Sequence, residues 1–524
     1  MENKRNDGTI LLLLLVFFAV IKFFSASPCL FISMDGAKYL KLAENLPSYV
    51  LFNRDFYISH PPFYPFVIKL LGLIMPAHIA GAAVSQVGTL GFMITGIFLL
   101  KLLKVEQKAV YGTIIFLSFS HLLYYWSNMI YKETFFTFIV YLFVFAFAAS
   151  LIRGIKGFTF FASAAGFLAG ITSDLVIFLF PVSISIILLY GRSYREGKKY
   201  KSLFAPPFFI LAGYGIWILC RWFIYANNIY YPAGVDGLIE KVGDYRLVNL
   251  LTPRNFQWTR EITAAGLSLN PFHYMKYTGA FFNLIPPFHV SSASISWKEA
   301  AKIFFFYLPL AILMFYGIFS SLRRKEKPAF LMAALSLSFL APVVFGISDP
   351  RFSIPVLLPA GYFISKGLCR IKIKGSGRRV NVCMALFLAG FALFWVVSRP
   401  HFFGVSRKVV ELKKTSWVIN ALQGDGIMAQ FGYPPEIAYL TGKRVICLPL
   451  KVAELERQIQ LYNISYIVFG AEENNGEFIL HPYGLEVVEH VKNNPQRFAE
   501  ICRVREDYLP AERKEEVYIY EIKR

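Results

Sequence analysis

Long apolar runs, separated by short basic loops, constrain the fold of this chain more than any other feature of its sequence. Eleven runs approach the about 20 residues that an α-helix needs to cross the hydrocarbon of a bilayer, and apolar residues make up 56% of the 524 residues. The runs cover residues 9–30, 79–100, 109–127, 132–152, 157–173, 174–190, 203–226, 299–321, 328–346, 352–369 and 380–398. This pattern predicts a polytopic α-helical membrane protein with about eleven transmembrane helices.

The loops between these runs carry most of the positive charge and predict the topology. Short segments rich in Lys and Arg lie at 101–108, 153–157, 192–202, 321–328 and 369–379. Such loops are cytoplasmic by the positive-inside rule, which predicts a cytoplasmic N-terminus in the cytoplasmic (inner) membrane. The formal net charge of +21 is then a feature of topology and does not indicate binding of nucleic acid. The loops 31–78 and 227–298 and everything from 399 are predicted to be extracytoplasmic.

The tail of the chain differs in character from the membrane domain predicted over 1–398. Alternating apolar residues predict strands in GIMAQFG (426–432), KRVICLPL (443–450), SYIVFG (465–470) and EVYIYEI (516–522), and helices are predicted over 452–463 and 484–501. Strands that alternate with helices favour a small extracytoplasmic α/β domain over 399–524. Cys447 and Cys502 of this domain could form a disulfide in an oxidising compartment, or both could be buried thiols.

Asp35 leads the candidate site residues, because charge beside hydrocarbon is costly without a partner or a role. It precedes AKYLKLAENL (37–46), whose apolar and charged residues alternate as in an amphipathic helix that lies at the membrane interface. Capping of that helix alone would also explain an aspartate there.

A second candidate segment is SHPPFYPFVIKLLGLIMP (59–76). Its prolines at 61, 62 and 65 predict an extended start, and the apolar run that follows is too short to span comfortably, which indicates a second juxtamembrane helix. His60 is a candidate ligand or proton carrier, or an interfacial side chain that bonds to backbone. Tyr64 is a candidate substrate-binding residue.

Charged residues open three more predicted elements at the outer face. Glu133 lies in the first turn of the fourth span, where the helix dipole alone would stabilise a carboxylate, and Lys132 beside it could extend to the interface. Arg351 follows Asp349 in a late outer turn. A guanidinium there could bind phosphate oxygens, anchor lipid headgroups or pair with Asp349. Asp174 lies in the tight turn between the fifth and sixth spans and is a candidate substrate-binding residue.

In order and spacing these segments resemble a membrane glycosyltransferase of the GT-C superfamily. The resemblance rests on Asp35 early in the first outer loop and on the segments HPPFYPFVIKLLG, KETFFTFIVYL and DPRFSIPVLLPAGYF. In addition, GYPPEIAYLTGKRVICLP (432–449) is similar to the tail domain of bacterial members. The nearest relatives would be the dolichyl-phosphate-mannose protein mannosyltransferase-like proteins and the lipid A aminoarabinose transferases. The resemblance covers nearly the whole chain.

The resemblance implies a hexosyl- or pentosyltransferase that takes a sugar from a polyprenyl-phosphate donor at the outer face, with inversion. The acceptor would be a glycan, a lipid or a protein, and no nucleotide cofactor is implied. Asp35 matches the catalytic aspartate, Glu133 the second acidic position and Arg351 a basic residue expected at the donor phosphate, where Lys132 is a further candidate. A divalent cation held by Asp35, Glu133 and His273 is an additional possibility.

Two positions depart from the family pattern. Protein mannosyltransferases typically have Glu after the first Asp, whereas Gly36 follows Asp35 here, which disfavours a protein acceptor. Many relatives have Lys or Arg after a Thr at the turn between the fifth and sixth spans, where this chain has Ser173 and Asp174 after Thr172.

The alternative class is a membrane transporter or flippase of lipid-linked glycans. Transporters place binding groups near the bilayer midplane, often in repeated halves. The sequence contains no evident internal repeat, and its candidate polar residues gather at one predicted face. We therefore expect an enzyme, with the transporter as the competing hypothesis.

Overall fold

A computed structural model of the protein describes most of the chain. The described residues are 34–46, 61–118, 129–195, 200–227, 308–345, 350–370, 413–424, 426–430, 433–449, 451–474, 477–480, 484–508 and 513–523, with the single positions 13, 16, 120, 123, 126 and 127. The predicted spans 9–30 and 380–398 and the long loop 227–298 lie almost wholly outside them.

Eleven described α-helices form the part of the chain before residue 371. They are α1 (Met34–Asn45), α2 (Phe63–Leu71), α3 (Ala77–Leu102), α4 (Gln107–Ser118), α5 (Lys132–Arg153), α6 (Lys156–Gly170), α7 (Leu179–Arg195), α8 (Tyr200–Asn227), α9 (Leu308–Arg323), α10 (Lys327–Phe345) and α11 (Leu357–Arg370). Short 3₁₀ helices over Asp174–Phe178 and Pro350–Val356 precede α7 and α11.

Five segments of the described chain are long and apolar enough to cross a membrane: Ala77–Leu102, Lys132–Arg153, Asp174–Gly191, Leu203–Cys220 and Arg351–Arg370. Two shorter apolar helices cover Pro309–Arg323 and Lys327–Leu340. Large apolar side chains on their outward faces are more than half exposed, among them Phe98, Leu188, Phe319 and Leu337. The chain is therefore a multi-pass membrane protein, while the count of eleven spans stays a prediction.

Glycines let neighbouring helices approach closely. A Cβ at Gly88 of α3 would lie 2.6 Å from the Cα of Phe135 in α5, and a Cβ at Gly317 of α9 would lie 1.9 Å from the backbone oxygen of Phe363 in α11. Helices in lipid associate largely through van der Waals packing, and small residues at the interface let their backbones approach closely. These two contacts hold α3 close to α5 and α9 close to α11.

The C-terminal part contains a six-stranded mixed sheet. Its elements are α12 (Lys413–Ala421), β1 (Gly426–Ala429), α13 (Pro434–Thr441), β2 (Arg444–Cys447), α14 (Val452–Tyr462), β3 (Tyr466–Asn474), β4 (Glu477–Leu480), α15 (Leu485–Asn493), β5 (Phe498–Tyr508) and β6 (Arg513–Ile522). The strand order is β2-β1-β3-β6-β5, with β4 beside β3, and β1 runs parallel to β2 and β3. Side chains alternate between a core under α14 and α15 and a second core under α12 and α13.

The predicted strands all form in this sheet, but one predicted helix is too long. The helix predicted over 484–501 ends at Asn493, and β5 already begins at Phe498. Pro495 explains the break, since proline lacks the N–H that a continuing helix needs. Beyond it Phe498 pairs with Ile522 of β6, so tertiary pairing overrides the helical pattern.

The sheet order also decides the cysteine question. Cys447 lies in β2 and Cys502 in β5, which are the two ends of the strand order with β1, β3 and β6 between them. Four steps of about 4.8 Å each separate these strands by roughly 19 Å, whereas a disulfide needs Cα atoms within about 7 Å. The two cysteines therefore do not pair within one chain, and Cys502 is a free thiol.

Candidate functional site

Glu133 and Arg351, 218 positions apart in sequence, meet at one end of the helix bundle. Glu133 lies in the first turn of α5, and Arg351 lies in the 3₁₀ helix before α11. The Nε of Arg351 is 3.8 Å from Oε1 of Glu133, and the two side chains are only 17% and 5% exposed. The 3.8 Å between Nε and Oε1 is longer than an ordinary hydrogen bond, so this contact is an ion pair.

Aromatic rings surround the guanidinium. The Cζ of Arg351 lies 4.9 Å from the ring centre of Tyr131, 5.2 Å from that of Phe352 and 5.8 Å from that of Trp126. Each ring face attracts the cation, and Trp126 packs edge-on against Tyr131 with 5.0 Å between ring centres. We call Glu133, Arg351, Trp126, Tyr131 and Phe352 the Glu133 cluster. Such a site presents a planar cation suited to phosphate oxygens.

A buried hydrogen-bond network supports this cluster from the side of α2 and α3. The Tyr64 hydroxyl lies 2.8 Å from the Ser85 hydroxyl, and Ser85 donates to the backbone oxygen of Tyr131 at 3.0 Å. Thr134 donates to the backbone oxygen of Ser85 at 3.0 Å. These bonds bracket Glu133 along α5 and so fix where its side chain begins.

Tyr64, predicted to bind substrate, is fully buried, and its hydroxyl also donates to the backbone oxygen of Gly81 at 3.2 Å. Burial raises the pKa of Tyr64 well above its usual range, the Ser85 hydrogen bond lowers it in part, and the nearby charge of Glu133 raises it further. The hydroxyl is therefore neutral at ordinary pH and bonded within the protein. Its contact with substrate stays a prediction.

The helix that carries Asp35 packs beside this network. Asp35 is the second residue of α1, and Tyr39, one turn later, meets the ring of Tyr64 edge-on at 5.0 Å between ring centres. Helix α1 contacts both α2 and α3. The backbone of position 35 is thus placed at the same end of the bundle as Glu133, and the side chain of Asp35 lies outside the described atoms.

Asp174 occupies the turn that also reaches this end. Its Oδ1 accepts a 2.5 Å hydrogen bond from the indole N–H of Trp217 in α8, and the side chain is buried. The backbone N–H of Phe63 donates to the backbone oxygen of Ile171 at 3.2 Å, which joins the turn to the start of α2. The predicted substrate role of Asp174 stays a prediction, and the observed bond makes it a link between α8 and this turn.

The remaining predicted site residues divide into two groups. Lys132, the first residue of α5, is 9% exposed, so it is buried beside Glu133 and does not extend freely to the interface. His60 and His273 lie outside the described residues. The described side chains include no group of three or more His, Cys, Asp or Glu that could hold a metal ion.

Sequence reasoning missed the aromatic and hydroxyl members of the site. Trp126 and Tyr131 lie in the aromatic stretch YYWSNMIY (124–131), but aromatics make up 17% of the chain, so the stretch does not stand out. Ser85 occupies an unremarkable position in a transmembrane run. A polar residue within such a run is a usable indication, since buried hydroxyls there need partners.

The structure is similar to solved membrane enzymes. It matches ArnT from Cupriavidus metallidurans in the apo state (TM-score 0.55, 11% identity, 98% of this chain and 98% of that chain). It matches the same protein bound to undecaprenyl phosphate (TM-score 0.55, 11% identity, 97% and 98%). It also matches the oligosaccharyltransferase of Archaeoglobus fulgidus tethered to an acceptor peptide (TM-score 0.55, 12% identity, 87% and 68%).

No model of a known family and no curated protein matches the sequence. The solved neighbours, ArnT and the oligosaccharyltransferase, are both members of the GT-C superfamily. The chain therefore has the fold of the GT-C membrane glycosyltransferases, as the sequence resemblance predicts. At 11–12% identity this likeness establishes the fold and leaves the reaction to be argued from the site.

Proposed function

We propose that this protein is a membrane glycosyltransferase that moves a hexosyl or pentosyl group from a polyprenyl-phosphate donor to an acceptor at the extracytoplasmic face. The observation that carries the proposal is the Glu133 cluster, a half-buried guanidinium beside three aromatic rings at the end of the bundle where α1 also packs. The fold, shared with a protein bound to undecaprenyl phosphate, supports a lipid-linked donor. The acceptor is a nucleophilic group of a glycan, lipid or protein.

In the proposed reaction the acceptor attacks the anomeric carbon from the side opposite the phosphate, so the configuration inverts. The bond from the anomeric carbon to the phosphate oxygen breaks, the bond to the acceptor forms, and polyprenyl phosphate leaves with the electron pair. Asp35 takes the acceptor proton as general base. Arg351 stabilises the negative charge that grows on the departing phosphate.

Glu133 has a different part in this proposal. Its carboxylate, 3.8 Å from the Nε of Arg351, holds the guanidinium beside the start of α5 by charge attraction. An arriving phosphate would bind the planar guanidinium through its N–H donors, while Glu133 keeps the cation in place. Lys132, buried beside it, adds a second positive charge near the phosphate.

A divalent cation does not fit the described side chains on their own. Glu133 is the acidic member of the predicted set whose side chain is described, and it faces a guanidinium rather than further acidic groups. We therefore assign no step to a metal. Chelation by EDTA, followed by transfer assays with and without added Mg²⁺ or Mn²⁺, measures whether activity depends on one.

The proposal is tested by transfer from a labelled polyprenyl-phosphate sugar with the full chain in nanodiscs. Asp35→Asn keeps the size of the side chain and removes the base, so transfer should fall by about 10²–10⁴-fold, the usual share of a general base. Glu106→Gln makes the same carboxylate-to-amide change on an exposed loop beyond the other end of α3 and should leave transfer unchanged.

Two outcomes would contradict the proposal. Unchanged transfer by Asp35→Asn would remove Asp35 from the role of base. Failure of the wild-type protein to transfer any polyprenyl-phosphate sugar, while it moves the intact lipid between leaflets of a vesicle, would favour the flippase. Profiling of envelope glycolipids and glycoproteins in a deletion strain identifies the acceptor.

A further inference from the structure

Helix α1 is buried more completely than a helix that lies on a membrane surface. Its buried residues are Gly36, Ala37, Tyr39, Leu40, Leu42 and Ala43, and Leu46 directly after the helix is buried too. At 3.6 residues per turn these positions cover about 220° of the circumference, whereas a helix packed on one side shows an apolar stripe about 100° wide or somewhat more. The interfacial helix expected from the sequence is therefore covered from more than one direction.

Two different parts of the molecule supply this cover. On one side α1 packs against α2 and α3, with Tyr39 against Tyr64. It also contacts α13, the helix between β1 and β2 of the C-terminal sheet. The sheet unit thus reaches the helix that carries Asp35.

Tyr439 is a residue of α13 that packs against the membrane unit. Its neighbours Ile437 and Ala438 belong to the core between α13 and the sheet, whereas Tyr439 packs against the core of the membrane unit. Burial raises the pKa of Tyr439, and the charge of Glu44 in α1 raises it further. The phenol is therefore neutral at ordinary pH and within electrostatic reach of the last turn of α1.

The same end of α1 is also held by α2. The Lys69 ammonium of α2 donates to the backbone oxygens of Glu44, at 3.5 Å, and Leu46. These carbonyls end the helix, where a cation is favourable. Helix α1 is thus fixed from the membrane side by Lys69 and Tyr64 and from the sheet side by α13.

We propose that α13 braces α1 and that Tyr439 is a positioning residue for Asp35. This inference rests on the proposed function for its catalytic half, since it assumes that the position of α1 matters to the reaction. A displacement of a reacting group by about 1 Å can lower a rate by about 10²-fold. The sheet unit then contributes to the site by holding α1 in position through α13.

The test combines hydrogen exchange with transfer kinetics on the full chain in nanodiscs. Tyr439→Ala should raise amide exchange in the peptide covering 34–46 by about tenfold or more, because local opening becomes easier, and exchange in β3 should stay unchanged. The kcat for transfer should fall by about 10- to 100-fold with little change in the KM for the donor. Tyr439→Phe keeps the ring and should restore both readouts.

Trp417→Ala is the matched control, because Trp417 lies on α12 of the same unit and is 79% exposed. It should leave exchange in α1 and kcat unchanged. If Tyr439→Ala does not fold, Tyr439→Leu keeps an apolar side chain without the ring and should give the same changes to a smaller extent.

The two readouts separate this inference from the proposed function. Unchanged exchange in α1 for a folded Tyr439→Ala protein would overturn the brace, whatever the activity. Raised exchange with an unchanged kcat would remove Tyr439 from positioning of Asp35. A wild-type protein with no transfer activity would refute the proposed function, and the exchange data would still decide whether α13 holds α1.

Discussion

Two ion-pair clusters lie at opposite ends of the helix bundle. They differ in the groups that surround the charged side chains. In the Glu133 cluster one carboxylate and one guanidinium are 3.8 Å apart among aromatic rings. At the other end Glu326 contacts Arg370, the Lys366 ammonium at 3.4 Å and the Tyr362 hydroxyl at 3.5 Å. We call these last four residues the Glu326 cluster.

The two clusters differ in what surrounds each charge. Glu326 lies just before α10, and Lys366 and Arg370 lie in the last turns of α11, so its contacts tie two helix ends together. Its carboxylate is neutralised within the protein by two cations. In the Glu133 cluster one carboxylate faces the guanidinium, and three aromatic rings lie within 6 Å of its Cζ and attract the cation as well. Under the proposed function, this second guanidinium is the one that binds the donor phosphate.

The largest expected effect comes from removing the arginine of each cluster. Arg351→Ala should lower transfer by about 10²–10³-fold, the usual loss when one donor to a developing negative charge is removed. Arg370→Ala should leave transfer per folded molecule within about twofold, because distant sites act independently. Initial rates with a saturating labelled donor, normalised to folded protein from size-exclusion chromatography, measure both.

Arg351→Lys sharpens the same comparison. Lysine keeps the charge but loses the planar fork that binds two phosphate oxygens, so transfer should stay well below the wild-type rate. Equal losses for Arg351→Ala and Arg370→Ala would contradict a functional difference between the two ends.

The second prediction concerns thermal stability at the Glu326 cluster. Glu326→Ala removes the carboxylate from between Lys366 and Arg370, which are 10% and 9% exposed. Loss of one partner from a buried ion pair costs about 3–5 kcal/mol, and because Glu326 is 25% exposed we expect the lower part of that range. The Tm in detergent should fall clearly. The double variant Glu326→Ala, Lys366→Met should recover part of it, and a Tm unchanged in the single variant would show that the cluster is not structural.

Part of this arrangement is predictable from the sequence. The apolar runs give the helices, the alternating segments give β1, β2, β3 and β6, and the expected tight turn at Ser173 is observed. Glu133 and Arg351 can be selected because both are charged beside apolar runs. Their pairing cannot be predicted in this way. The membrane topology gives the depth of a residue along the bundle, but it does not say which residue of another helix lies beside it. From sequence the obvious partner of Arg351 is Asp349.

The burial of α1 by other parts of the molecule also cannot be predicted from the sequence. Its pattern of Lys38, Lys41 and Glu44 against apolar residues is that of a helix with one wet face. In the structure Lys38 and Lys41 are half-buried rather than fully exposed. Helix α13, almost 400 residues later in the chain, contacts the helix as well. Contacts between such distant segments are set by the packing of two whole units, which no local pattern encodes.

The third prediction compares two glycines in transmembrane helices. Gly317 packs against Phe363 on α11, one turn from Lys366, and an added Cβ would meet a backbone oxygen. Gly317→Ala should therefore destabilise the protein by about 1–3 kcal/mol, as overpacking does. Gly215→Ala on α8 meets nothing within 4 Å and should be neutral or stabilising by about 0.5–1 kcal/mol.

Thermal denaturation in the same detergent measures both variants. If Gly317→Ala is as stable as Gly215→Ala, the close approach of α9 and α11 is absent in solution. Transfer per folded molecule should be unchanged in both, because the substitutions lie away from the Glu133 cluster.

The smallest expected effect comes from the rings that face a cation at each end. Trp126 faces Arg351 at 5.8 Å, and Tyr190 of α7 faces the Lys327 ammonium at 5.6 Å. Such contacts contribute about 0.5–1 kcal/mol at accessible sites, so both Trp126→Leu and Tyr190→Leu should lower the Tm slightly.

Only the first should change transfer. Without Trp126 the guanidinium gains freedom in the Glu133 cluster, and the KM for the donor should rise by about two- to fivefold, the factor that corresponds to 0.5–1 kcal/mol, while Tyr190→Leu leaves it unchanged. Donor titrations at fixed acceptor separate the two variants. If both raise the KM equally, the ring contributes to general stability alone. If only Trp126→Leu does, the aromatic side of the Glu133 cluster holds Arg351 for the phosphate, which is what distinguishes it from the cluster around Glu326.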